Sequence, residues 1–144
     1  MKQFLAVLAL AGTSLVLGQT ITQAERDFAV SNLQASRKKF LDSIAGLSEA
    51  QWKFKPAPDR WSVAECAEHI ALSELMIMQL VTERILKAEP MPKKTQDDLR
   101  GHSIEHPLLN QLDAYQWILL IAAHSERHTA QIEEVKASPG FPGA

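Results

Sequence analysis

The sequence has little of what would make a protein disulfide-linked, fibrous or strongly charged. Its 144 residues include one cysteine, six glycines and seven prolines. A single cysteine excludes a disulfide within the chain, and so few glycines and prolines exclude a collagen-like or low-complexity protein. Basic and acidic residues nearly balance, with 15 against 17 and a net charge of −2. We therefore expect one domain with no basic face and no nucleic-acid partner.

The one long uncharged run stands at the N-terminus. Lys2 precedes a mostly apolar stretch from Phe4 to Leu17, which ends at the small residue Gly18. This pattern is typical of a secretory signal peptide and is short for a membrane span, although an uncleaved anchor is the alternative. We expect a signal peptide at 1–18 and a domain at 19–144. The protein would then be exported, periplasmic or extracellular, with no stable membrane span after cleavage.

Helix start signals recur along the remaining chain. Thr22, Ser48 and Ser62 are each followed three residues later by Glu or Gln, which is the capping-box pattern. With the apolar residues at helical spacing, these signals predict a long helix over about 23–46, a short turn at Ser48, and a second long helix over about 63–88. A last long helix is predicted from about 110–113 to Lys136.

The segment before the last helix differs from the rest. Met91 to Leu109 carries two prolines and few apolar residues, so at most two helical turns are predicted, over 93–100. His102 and His106 are predicted to be exposed in a polar loop. Nothing alternates with period two over a useful length, so no sheet is predicted, and the class is an all-α helix bundle.

Three histidines are candidate metal ligands. His124 and His128 are four residues apart, so they project from one helix face, and they occupy the apolar stripe, where an unpaired imidazole is costly. His69 lies about 9 Å into the second long helix, and His128 lies about 12 Å from the end of the last one. If those helices are antiparallel neighbours, the three rings meet and could bind a divalent metal with an open position. The alternative is three hydrogen-bonded histidines that pack inside a bundle.

Nearby residues have weaker claims to a role. Cys66 shares a face with His69, but a small buried side chain is the simpler interpretation. Gln131 could orient a metal ligand by a hydrogen bond, or it could be an amide at the edge of the core. Glu65 is explained by capping, and Glu68 is either a general base or a solvated carboxylate. Three tryptophans are predicted to pack the core: Trp52, Trp61 and Trp117.

Two motifs resemble the DinB-like superfamily. They are W-S-x-x-E-x-x-x-H, beginning at Trp61, and H-x-x-x-H-x-x-Q-I, beginning at His124. The likeness extends from about Glu25 to Val135. It implies a four-helix bundle with up-down-down-up order and a divalent metal ion held by His69, His124 and His128. Zinc, nickel, iron or manganese would suit this site. The chain departs from the family in its middle, where the third helix is shortened or missing.

The resemblance also implies a function. Family members include thiol-dependent S-transferases and metal-dependent hydrolases acting on small molecules, so an exported metal-dependent transferase or hydrolase with an unknown small-molecule substrate is expected. No catalytic residue is assigned. The alternative is a non-catalytic metal-binding bundle, or a structural or interaction domain without metal. Because the reduced third helix would leave a groove uncovered, a homodimer or a marginally stable monomer is also expected.

Overall fold

Three long helices dominate the architecture. The computed structural model describes residues 20–88, 90 and 98–143. The helices are α1 (Gln23–Ile44), the short α2 (Glu49–Lys53), α3 (Val63–Leu80) and α4 (Ala114–Lys136). A π-helical turn (Val81–Ile85) continues α3, and two strands, β1 (Ser103–His106) and β2 (Asn110–Asp113), precede α4. The predicted all-α bundle class is confirmed. The predicted signal peptide lies outside the described residues.

Capping boxes begin all four α-helices. The hydroxyls of Thr22, Ser48 and Ser62 each accept a hydrogen bond from the backbone N–H three residues on, as predicted. Asp113 does the same for α4 by accepting from the N–H of Gln116, whose side chain in turn accepts from the backbone N–H of Asp113. These reciprocal bonds satisfy backbone donors that a helix start otherwise leaves unpaired. They fix the starting residue of each helix.

The helix directions follow from contacts at both ends. The Tyr115 hydroxyl donates to the Glu25 carbonyl at 2.8 Å, and Lys136 Nζ donates to the Ser43 carbonyl at 3.0 Å. The starts of α1 and α4 are therefore together and so are their ends, which makes the two helices parallel. Val63, at the start of α3, packs in one cluster with Val135, near the end of α4. Thus α3 is antiparallel to α4, as the predicted meeting of the histidines requires.

Among the described residues, two separate cores lie along α3 and α4. The first, the three-helix core, is formed by Val63, Cys66, Ile70, Ile132 and Val135, with partly buried side chains from α1, α2 and the C-terminal tail against it. The second, the hairpin core, is formed by Val81, Ile85, Ala114 and Trp117, with partly buried residues such as Ile104 and Leu112 against it. The second core shows that α3 ends where α4 begins.

A β-hairpin stands where a loop was predicted, so the prediction of no sheet is wrong. β1 and β2 pair antiparallel, with Ile104 opposite Leu112 and His106 opposite Asn110. Asn110 has a φ of 61°, in the left-handed region that asparagine tolerates better than most residues. Each strand has only four residues. This length is too short for a recognisable period-two pattern.

The prediction that His102 and His106 are exposed is also wrong. His102 is only 1% exposed, and its carbonyl accepts a hydrogen bond from the backbone N–H of Ala114, the first residue of α4. His106 is half-buried, with its ring centroid 5.1 Å from that of Trp117. The surrounding sequence is polar, but this segment folds against the start of α4, where the His102 carbonyl bonds Ala114 and the His106 ring packs on Trp117.

The described residues between 86 and 113 include no helix. The two helical turns predicted over 93–100 fall mostly outside the described residues, and 99–100 form a turn. The second long helix was predicted to reach 88, whereas regular α-helix ends at Leu80 and the π-helical turn continues to Ile85. In the described part of the chain, no helix is both long and apolar enough to cross a membrane.

Candidate metal centre

The structure brings the three predicted histidines together between α3 and α4. One ring nitrogen from each of His69, His124 and His128 lies within 4.8 Å of the others. The ring centroids are 4.4 to 5.0 Å apart. His69 and His124 are half-buried, and His128 is 9% exposed. The cluster is therefore sheltered from bulk water yet reachable by a small ion.

The spacing of the nitrogens fits a divalent ion. His69 Nε2 and His124 Nε2 are 3.2 Å apart. Two imidazoles bound to one tetrahedral zinc ion, with bonds of about 2.0–2.1 Å, would have their nitrogens about 3.3 Å apart. His124 Nδ1 is buried with no hydrogen-bond partner among the described residues, which is a cost to folding. An ion bound at His124 Nε2 would not reach that atom, so the support for a metal comes from the spacing of the nitrogens.

Electrostatics keep two of the three rings neutral. Burial lowers the pKa of His69, and the neighbouring His128 lowers it further. Burial also lowers the pKa of His124, with added effects from His128, His69 and the charge of Arg127. An imidazole must be neutral to offer a lone pair to a metal. Both rings are thus predisposed to be ligands at neutral pH.

Gln131 orients His128. Its Oε1 is 2.9 Å from His128 Nδ1, so the ring N–H at Nδ1 donates to the amide oxygen. This bond leaves Nε2 of His128 without the proton and available as a ligand, which is the arrangement found around metal-binding histidines. The predicted orienting role of Gln131 agrees with this contact.

Trp61 contacts the histidine cluster. The sequence pattern placed it in the core and did not predict this contact. Its ring lies edge-on to His69, with centroids 5.0 Å apart, and stacks on His128 at 5.8 Å. The side chain is 37% exposed. It stands directly before the N-cap Ser62, so the turn that starts α3 also places the indole over two candidate ligands. The spacing of Trp61 and His69 in the first motif was the available signal.

The other nearby residues have structural roles. Cys66 is fully buried in the three-helix core, and burial raises the pKa of its thiol to about 11. A protonated thiol is a poor metal ligand. Glu65 completes the capping box of Ser62 and pairs with Lys55 at 2.7 Å. Glu68 is exposed on α3.

An open cavity adjoins the histidines. Its volume is about 500 Å³, within the range of small-molecule sites. Side chains of α3, the hairpin and α4 line it, and His124 and His128 contribute to its wall. Trp117 and Leu120 line its apolar part. The candidate metal centre thus opens into a space large enough for a small molecule.

Comparisons with known proteins give the family. A model described as the DinB superfamily matches residues 32–114, which is more than half of the chain and includes His69 but stops before His124. The uncharacterized protein YuaE of Bacillus subtilis (strain 168) is 20% identical, over 74% of this chain and 96% of its own length.

A solved structure shares the fold. TT2238, described as a four-helix bundle protein, superimposes with a TM-score of 0.59 at 20% identity, over 75% of this chain and 98% of its own. At this identity the likeness shows the bundle fold alone. The family match and the helical bundle agree with the resemblance carried by the two histidine motifs. The chain belongs to the DinB superfamily.

Proposed function

We propose that the protein binds one divalent metal ion through His69, His124 and His128. The observation that carries this proposal is the convergence of three imidazoles on one point, with ligand atoms within 4.8 Å of one another. Lowered pKa values at His69 and His124 favour their neutral forms. Three imidazoles leave at least one coordination position open. Zinc, nickel and iron suit imidazole ligands, whereas manganese prefers oxygen ligands and is the least suited of the four expected ions.

We further propose that the site is that of an exported transferase or hydrolase. A bound divalent ion supplies a lowered pKa to a water or thiol ligand, which gives a nucleophile at neutral pH. Gln131 holds His128 in one tautomer, and Trp61 shields two rings from solvent. The adjoining cavity of about 500 Å³ supplies space for a small-molecule substrate.

A non-catalytic metal-binding bundle is the second candidate. The histidines join α3 to α4, so an ion there would brace the two helices that form both cores. Binding to the folded state alone would then raise stability. A structural domain without metal is the remaining alternative, and metal analysis separates it from the other two.

Elemental analysis of the untagged mature protein, expressed with its N-terminal segment intact, tests the metal proposal. We expect about one divalent ion per chain. His124→Ala and His128→Ala should abolish binding, whereas the matched control His106→Asn should keep it because that ring belongs to the hairpin. Failure of any divalent ion to copurify, or to bind at micromolar levels, would remove the metal proposal.

We also propose that the protein forms a homodimer. Support comes from large apolar side chains left exposed on α3 outside the cavity lining, namely Leu72 at 53% and Leu75 at 55%. Such a patch is unusual on a monomer surface. Size-exclusion chromatography with light scattering should give twice the monomer mass, and a well-folded monomer at all concentrations would contradict the proposal.

A further inference from the structure

The cavity beside the histidines changes character along its length. Trp117, Leu120, His124 and Arg127 follow one another at intervals of three or four residues and all line the cavity from α4. They span about 15 Å of helix. The end near Trp117 and Leu120 is apolar, and the end near Arg127 is polar and cationic. The cavity is therefore amphipathic.

Exposed apolar side chains extend the apolar end. Met76 on α3 is 66% exposed, and Leu108 and Leu109 in the hairpin loop are 86% and 51% exposed. All three line the cavity. A contiguous patch of large exposed apolar residues is rare on a folded surface and is typical of a binding groove. A ligand with an apolar body would cover them.

The hairpin loop is held in place for this role. His106 Nδ1 accepts hydrogen bonds from the backbone N–H groups of Leu108 and Leu109, both at 3.1 Å. With Nδ1 acting as acceptor, the ring proton is on Nε2. The packing of His106 on Trp117 fixes the ring. The loop that carries the two leucines is thus braced from within, which reduces the cost of ordering it around a ligand.

Arg127 provides the charge at the polar end. Its side chain is exposed, and within the described part of the chain none of the ion pairs includes it. A guanidinium binds carboxylate and phosphate groups through paired N–H donors. An anionic group placed beside Arg127 would lie next to His124 and His128, which line the same cavity.

We propose that this cavity binds a small anionic amphiphile, with its alkyl or aryl body against Met76, Leu109 and Trp117 and its anionic head at Arg127. This assignment names the substrate class and rests on the proposed function of the histidine site. It adds that specificity comes from the hairpin, which follows the segment where the sequence predicts a shortened or missing third helix. The apolar length of the ligand determines affinity, and its charge determines orientation.

A series of linear carboxylates from butanoate to decanoate tests the proposal by calorimetric titration of the metal-loaded protein. We expect each added methylene to tighten binding about fourfold until the apolar end is filled. Alkylamines of the same lengths should not bind measurably, because their charge repels Arg127. Equal affinity along the carboxylate series, or equal binding of the amines, would overturn the proposal.

Neighbouring positions on α3 supply a matched control. Met76→Glu places a carboxylate in the cavity, whereas Leu75→Glu places one at a similarly exposed position outside its lining. Met76→Glu should abolish the dependence on chain length, and Leu75→Glu should leave it unchanged. Arg127→Gln should weaken every carboxylate about tenfold or more while keeping the fourfold steps. Identical behaviour of the two glutamate variants would overturn the assignment.

The same samples separate this inference from the metal proposal. Elemental analysis gives the metal content, and titration gives the dependence on chain length. Bound metal with no dependence on chain length overturns the cavity assignment and leaves the metal site standing. If no metal binds but affinity still depends on chain length, the metal proposal is overturned and the cavity assignment stands. Leu75→Glu is expected to weaken the proposed dimer and Met76→Glu is not. If light scattering shows that Met76→Glu also dissociates a dimer, Met76 belongs to the subunit interface and the amphiphile assignment falls.

Discussion

The two cores of this bundle are built in different ways. The three-helix core joins α1, α3 and α4 and is closed by α2 and the C-terminal tail, where Phe54 and Phe141 meet edge-on with centroids 5.4 Å apart. The hairpin core joins the end of α3 to the start of α4 and is closed by β1 and β2. Helical packing closes one end of the molecule, and a two-stranded hairpin closes the other.

This difference shows how a hairpin can close one end of a bundle while the candidate site stays on the helices. His69 is adjacent to Ile70 and His128 is four residues before Ile132, so two of the candidate ligands are attached to the three-helix core. The hairpin core lies beyond them and forms part of the cavity wall. Changes at the hairpin end would therefore alter what enters the cavity more than they alter the histidine geometry.

The largest expected change in the free energy of unfolding comes from replacing one buried isoleucine in each core by alanine. Ile132 and Ile85 are both 0% exposed. We expect Ile132→Ala to lower the free energy of unfolding by about 4 kcal/mol and Ile85→Ala by about 2 kcal/mol. The hairpin can move inward to fill the space left by Ile85, whereas three helices and the tail hold the space around Ile132 open. Urea unfolding measures both values.

An equal or larger loss for Ile85→Ala would contradict the distinction between the cores. Metal affinity provides the control. Ile85→Ala should leave it unchanged because the hairpin core holds no candidate ligand. Ile132→Ala should weaken it, because Ile132 lies one helical turn after His128 and positions that part of α4 against α3.

The sequence predicted correctly those features that depend on residues within a single helix. The capping boxes at Thr22, Ser48 and Ser62 placed three helix starts, and the interval from His124 to His128 placed two rings on one face. Each signal depends on neighbours within one helical turn. The meeting of these rings with His69 needed one further assumption, an antiparallel pair of helices, which the structure confirms.

The rest depended on contacts between distant segments. The strands of the hairpin have only four residues each. They are stabilised by the packing of Ile104 and Leu112 on the hairpin core. Trp61 was predicted to pack in the core. Trp61 does contact its own helix at His69, but it also stacks on His128 of α4, and no local pattern encodes that second contact.

Metal binding should stabilise the fold by the next largest amount. An ion that binds only the folded chain raises the free energy of unfolding by about 2.7 kcal/mol at a concentration of 100 times its Kd. Thermal unfolding with the ion and with an excess of chelator measures this difference. His124→Ala should unfold at the same temperature in both conditions. A chelator effect that persists in His124→Ala would place the ion elsewhere.

Removing the amide that orients His128 should have a smaller effect, on affinity alone. Gln131→Ala deletes the acceptor for His128 Nδ1, so we expect metal affinity to fall about 10- to 100-fold. The stability of the metal-free protein should change little because Gln131 is only half-buried. Gln131→Glu keeps an acceptor and is the control. Loss of affinity in both variants would contradict an orienting role.

The smallest effect concerns the ion pairs of one basic residue at each end of the molecule, Arg100 and Lys55. At the hairpin end, the Thr22 backbone N–H and the Arg100 guanidinium lower the pKa of Glu25 to about 2, and Arg100 also pairs with Asp113 at 3.0 Å. At the other end, Lys55 and the Ser62 N–H lower the pKa of Glu65 to about 2.

Each carboxyl has a folded pKa below its ordinary value of 4.5, so its contribution is present above pH 4.5 and is lost as the pH falls towards 2. Arg100→Gln and Lys55→Gln should each lower the urea midpoint slightly at pH 7 and leave it unchanged near pH 2. The shift should be larger for Arg100→Gln, because Arg100 joins the start of α1 to the N-cap of α4, whereas Lys55 pairs with one neighbouring carboxylate. A larger shift for Lys55→Gln would mean that the hairpin end does not depend on Arg100 to hold α1 and α4 together.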